Sequence, residues 1–195
     1  VNFSEFAAES LNIQTSDDVL FAVFSQANGN VSTNKTAMCV YSLRSIRRKF
    51  MQNIKACFNG DGSRGLDFIS PTMKCVVTRL QSLSEDFCGL DVNSPLGGET
   101  PVTATAAATF NTEISSIAAT TTSSFTVAFI GTKKGRLKKL VVETTNTATE
   151  YADVAIDEGS PVNADMFFDK KEMNVYVMTE KRISKVRVHE CSVHK

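Results

Sequence analysis

The chain has no tryptophan, only two histidines (His189 and His194), and no net charge, since 21 basic side chains balance 21 acidic ones. Without a basic excess it lacks the electrostatic footprint of a nucleic-acid binder. Without tryptophan, or aromatics interleaved with its basic stretches, it has no platform for stacking bases. No apolar run approaches the roughly 18 residues of a membrane-spanning helix, and no signal-peptide pattern opens at Val1. There is no Cys-x-x-Cys pair, and the late histidines give no close ligand spacing, so no metal site or cofactor is expected. What is present suits one ordinary soluble domain: 195 residues, 42% of them apolar, enough for a real core. Val1-Asn2-Phe3 and His194-Lys195 read as interior positions of a longer chain.

Five cysteines occur: Cys39, Cys57, Cys75, Cys88 and Cys191. An odd number leaves at least one without an internal partner. Three sequons, Asn2-Phe3-Ser4, Asn30-Val31-Ser32 and Asn34-Lys35-Thr36, are candidate glycan acceptors at Asn2, Asn30 and Asn34. Scattered cysteines and clustered sequons point to an oxidising, secretory compartment. An amphipathic helix is expected over residues 44–56. Leu43, Ile46, Phe50, Met51 and Ile54 lie on one face, and Arg44, Arg47, Arg48 and Lys55 mostly on the other. Such a helix spans about 20 Å. A disulfide needs its Cα atoms within roughly 7 Å, so Cys39 does not easily reach Cys57. Cys57 and Cys75 flank a glycine-rich loop that can double back and are the best internal pair. Cys39, Cys88 and Cys191 are left to find partners, including partners outside the chain.

Three segments share one shape: a continuous apolar strand, a polar turn, and a more alternating strand. They are 19–24 with 37–41, 125–130 with 136–142, and 174–178 with 182–188; weaker strands precede the last two at 114–122 and 162–168. Runs without alternation are expected to be buried on both faces. Lys185 and Arg187 alternating with Val186 and Val188 mark a half-solvated strand. The spacing from Val127 to Val175 is about 48 residues, and from Val19 to Val127 about 52 once residues 44–99 are set aside, a period typical of propeller blades. The expected fold is all-β, a partial β-propeller with a helical insertion at about 44–99. A β-sandwich with a helical excursion is the competing architecture. A ring cut open would leave an apolar blade face without a neighbour.

Catalytic chemistry is not legible. Gly60-Asp61-Gly62-Ser63-Arg64-Gly65 matches the letters of a dinucleotide fingerprint, but a helix precedes it and no binding helix follows, so it reads as a disulfide-clamped turn. Asn59, Asp61 and Ser63 alternate oxygens without the closing Glu of an EF-hand loop. Both histidines sit at the C-terminal end, which leaves no serine triad. Cys39, embedded in an apolar strand, reads as inert or bridged. Glu85 with Asp86, and Asp157 with Glu158, read as solvated loop charge. Lys133, Lys134, Arg136, Lys138 and Lys139 read as a charged hairpin tip that discourages edge pairing, with sulfated glycan binding as the alternative.

Asp18-Val19-Leu20-Phe21-Ala22-Val23-Phe24-Ser25, followed by Ala37 to Leu43 and Arg44-Ser45-Ile46-Arg47, resembles the middle of a sema domain. Phe87-Cys88-Gly89-Leu90-Asp91-Val92-Asn93-Ser94-Pro95-Leu96-Gly97-Gly98 is similar to plexins rather than semaphorins. Val127 to Lys139, Gly159 to Val162 and Val175 to Cys191 continue the likeness. The resemblance implies the last blades of a seven-bladed propeller over 1–190, with the insertion as the extrusion of the fifth blade. It implies that residues 191–195 open a PSI module. It agrees with a Cys57–Cys75 pair, assigns Cys39 and Cys88 to partners upstream of Val1, and makes Cys191 the first cysteine of that module. It further implies a non-enzymatic extracellular segment of a single-pass plasma-membrane receptor. The intact propeller would bind semaphorin in guidance signalling, and this segment itself would make no membrane contact. No ligand-contact residue carries over. Two alternatives remain: a semaphorin ligand or Met-like receptor with the same fold, or a self-contained glycan-binding β-domain.

Overall fold

The computed structural model describes residues 5–11, 13–64, 72–78, 100–122 and 125–189. The chain divides into two compact units, Val1–Ser42 with Ala104–Lys195, and Leu43–Thr103.

The larger unit is a series of antiparallel sheets. The first contains β1 (Val19–Asn28), β2 (Val31–Ser42) and β3 (Ala106–Phe110) in that spatial order. The second is β4 (Ile114–Thr121), β5 (Thr126–Thr132), β6 (Arg136–Thr144) and β7 (Thr147–Ala155), hydrogen-bonded in chain order. The third contains β8 (Met166–Phe168), β9 (Asn174–Met178) and β10 (Ile183–Arg187), again consecutive neighbours. In the first hairpin Val19 is opposite Ser42 and Phe24 opposite Ala37. The pairing continues past a bulge between Ser25 and Ala27 to Asn28 and Val31. The polar stretch expected as a turn is therefore strand, and the turn shrinks to Gly29-Asn30.

Sheet stacking follows from strand periodicity. Successive β5 side chains point to opposite faces. Ala128 and Ile130 enter one core with Met38, Val40, Phe110, Leu140 and Val142, between the first and second sheets. Val127 and Phe129 enter another with Leu137, Val162, Val175, Val177 and Val188, between the second and third. β1 lies by β4 and β3 by β7, while β4 lies by β8. A short helix, α1 (Glu5–Ser10), buries Ala7 and Ala8, with Leu11 after it, in the first core.

The smaller unit contains α2 (Leu43–Phe58) and the segment that doubles back upon its C-terminus. α2 ends because Gly60 takes φ 85°, a left-handed conformation open to glycine. The Asp61 amide then donates to Ala56 O at 2.9 Å and the Gly60 amide to Cys57 O at 2.9 Å, the paired bonds of a Schellman cap. The glycine run thus closes one helix instead of opening another. Ser63 bridges to Lys74, the Cys75 amide donates to Gly62 O at 3.0 Å, and Cys57 and Cys75 are joined as a disulfide with Cα atoms 4.9 Å apart.

Candidate functional site

The outward face of the first sheet is built from the β1–β2 register. Leu20 is opposite Tyr41, Ala22 opposite Cys39, and Phe24 opposite Ala37, so six small or apolar side chains share one face. The alternate residues Val19, Phe21 and Val23 pack into the first core. Leu20 and Phe24 remain 45% and 50% exposed on the outward side. The Phe24 and Tyr41 rings meet edge to face with centroids 6.4 Å apart. Cys39 lies between them in register, buried, its thiol unbridged among the described residues. Burial, then the neighbouring Cys39 thiol, pushes the Tyr41 phenol above its ordinary pKa.

The third sheet presents a matching face. Val175 and Val177 point into the second core, whereas Phe167 pairs with Tyr176, Tyr176 with Lys185, and Met178 with Ile183. Phe167 is 60% and Ile183 73% exposed, and the Lys185 ammonium lies 6.0 Å from the Tyr176 ring centroid. Of the three continuous apolar runs expected to be buried on both faces, only β5 is. β1 and β9 are each covered on one side, so their second face stays open despite equal hydrophobicity.

The basic run is largely neutralised. Arg136 pairs with Asp153 at 2.8 Å and Glu158 at 2.5 Å, Lys138 with Asp153 at 2.7 Å and Glu150 at 3.1 Å, and Lys133 with Glu113 at 3.3 Å. Lys139 is buried, and its ammonium donates to Arg187 O at 2.9 Å, tying β6 to β10. Burial raises the Asp153 pKa, but hydrogen bonds from Lys138 and Arg136 outweigh it and hold the carboxyl below the usual range. Asp157 differs from the solvated charge expected of it: it accepts from Thr179 Oγ1 at 2.9 Å, with Arg182 Nε 3.8 Å away. Its carbonyl crosses the β5–β6 turn where Gly135 has φ 77°, and a side chain there would collide with that carbonyl. The Ile156 and Asp157 amides both donate to Gly135 O at 3.0 Å. This fastening was missed from sequence, where a Lys-Lys-Gly turn gave no hint of a partner some 20 residues on.

Asn30 occupies the exposed β1–β2 turn and Asn34 an exposed position on β2; Thr36 of the third sequon is buried and donates to Thr112 O at 2.9 Å. A depression of about 420 Å³ beside them is lined by Gln26, Ala27, Asn28, Thr33, Asn34 and Lys35 and holds no acid–base pair. Asn2, Cys88, Cys191, Glu85, Asp86 and the 87–98 stretch lie outside the described residues. Among the described residues no three His, Cys, Asp or Glu side chains converge to hold a metal, and no helix is long and apolar enough to cross a membrane.

Comparison with known proteins fits this arrangement. The Sema domain family profile matches residues 5–169. Mouse Plexin-A2 is 32% identical over 193 residues, covering 96% of this chain, and mouse Plexin-A3 is 33% identical over 188 residues, covering 94%. The chain spans about a tenth of the length of these curated relatives, 10% in each case. The solved full extracellular region of Plexin A4 superposes with a TM-score of 0.83 at 29% identity, covering 96% of this chain and 17% of that one. Drosophila Plexin A, solved in complex with Semaphorin 1b, shares the fold at a TM-score of 0.57 and 16% identity, over 91% of this chain and 39% of that one. Three sheets and a helical insertion are the architecture of part of a sema β-propeller. The chain belongs to the Sema domain family.

Proposed function

We propose that this chain is the C-terminal portion of the sema propeller of a plexin-type receptor, and that the intact propeller binds a semaphorin in guidance signalling. The observation that carries the reading is the apolar outward face of β1 and β2, Leu20, Ala22, Phe24, Ala37, Cys39 and Tyr41, which is shaped for a neighbouring blade. Residues 1–190 supply the last blades of a seven-bladed ring, with the insertion over about 44–99, and 191–195 begin a PSI module. Cys57 and Cys75 clamp the insertion; Cys39 and Cys88 bond to cysteines upstream, and Cys191 to the module that follows. The segment lies on the extracellular side of the plasma membrane, with any glycans at Asn2, Asn30 and Asn34. The paired state of Arg136 and Lys138 disfavours a self-contained glycan-binding domain that uses this run.

The test is a biosensor measurement of semaphorin binding by the full ectodomain, with peptide mapping of its disulfides. Binding by the ectodomain, and a Cys39 bridge to a residue before Val1, are expected. A free Cys39 thiol in an ectodomain that binds no semaphorin would sink the reading.

A further inference from the structure

In a chain of zero net charge, α2 carries five cations, Arg44, Arg47, Arg48, Lys49 and Lys55, and no acidic residue. At about 100° per residue, Arg44, Arg48 and Lys55 fall within roughly 40° of arc, with Arg47 about 60° to one side, a stripe about 16 Å long. All four are exposed. Arg47, Arg48 and Lys55 form no ion pair among the described residues, unlike Lys133, Arg136 and Lys138. The arrangement is locally unfavourable. Arg47 and Arg48 are adjacent like charges in the N-terminal half of a helix that has no acidic residue to offset them, and only Lys55, in the last turn, is placed where the helix dipole favours a cation. Nothing in helix formation calls for such a stripe, and a bound polyanion would relieve it.

We infer that the Arg47–Arg48–Lys55 stripe of α2 binds a linear sulfated polysaccharide of the glycosaminoglycan class. This rests on the ectodomain reading, which places the helix where such chains occur. A linear row of exposed cations fits a linear polyanion better than a compact phosphate, which calls for convergent donors. A bilayer fits less well. The helix buries Cys57 and Phe58 at its C-terminal end, and Phe50, 57% exposed, is its one exposed large apolar side chain, short of the continuous apolar face that enters lipid.

The experiment immobilises a heparin oligosaccharide and measures binding of the ectodomain containing these residues. R47Q/R48Q/K55Q is expected to weaken binding roughly tenfold or more, and K133Q/K134Q to leave it within about twofold. The charge-preserving R47K/R48K/K55R should retain most of the affinity, and added salt should weaken the wild type. No heparin binding by the wild type, or equal binding by the glutamine variant, overturns the inference. So does wild-type binding to phosphatidylserine vesicles alone that the variant loses. Semaphorin binding is read on the same samples. Its retention in the glutamine variant shows an intact ring, whereas its absence from the wild type would count against the receptor reading alone.

Discussion

β5 and β1 have similar sequences, Thr-Val-Ala-Phe-Ile-Gly-Thr and Val-Leu-Phe-Ala-Val-Phe at its start, yet different surroundings. Every β5 residue is buried, because its sheet has a sheet on each side. β1 has a core on one side and leaves Leu20 and Phe24 exposed on the other. A run without alternation records the burial of a strand in its finished setting. The open face of β1 is therefore where a further layer would complete the burial that its unbroken apolar run implies.

The strongest test of this contrast is Phe129→Ala. Phe129 is fully buried and packs edge to face on Phe168 at 5.7 Å, so its loss should cost about 3–5 kcal/mol by chemical denaturation. Phe24→Ala should cost under about 1 kcal/mol in the 195-residue chain alone and approach the Phe129 value in the ectodomain. Small losses in both settings would show that nothing covers β1. Cys57→Ser, with its partner likewise replaced, releases a cross-link of sequence separation 18 and should destabilise the insertion by about 3 kcal/mol. Proteolysis near Gly62 would report it while the β5 core stays protected. Gly135→Ala forces a left-handed φ on alanine and a collision with Asp157, for about 2 kcal/mol, read as a lower Tm. The smallest effect is acid sensitivity. Asp153 has a lowered pKa, so its contribution is present above the unfolded value and fades as pH falls through the folded one. Thermal melts below about pH 4 should fall less steeply for Asp153→Asn than for the parent.

Much of this was legible. The periodic Leu43, Ile46, Phe50 and Ile54 marked α2, and continuous apolar runs marked β1, β5 and β9. Less distinctive pieces escaped. β3 is five residues of Ala, Thr and Phe, and β7 is largely exposed, so neither has an apolar signature. α1 is six residues long, too short to stand alone, and is held by packing of Ala7, Ala8 and Leu11. The ion pairs of Arg136 and Lys138 were invisible for another reason: Glu150 and Asp153 reach them only through the β6–β7 register. The lopsided charge of α2 was readable from the start, but that Arg47, Arg48 and Lys55 form no ion pair among the described residues was not, since it depends on where the carboxylates of other elements lie.

The insertion leaves from β2 and returns to β3, and these strands remain hydrogen-bonded neighbours, with Met38 opposite Ala108. To the sheet, residues 43–103 are therefore one long hairpin connection. Doubling such a connection adds only about 0.6 kcal/mol of closure entropy. The excursion can therefore be lengthened or shortened at little cost to the sheet that bears it, which makes residues 43–103 a tolerant place for new chain.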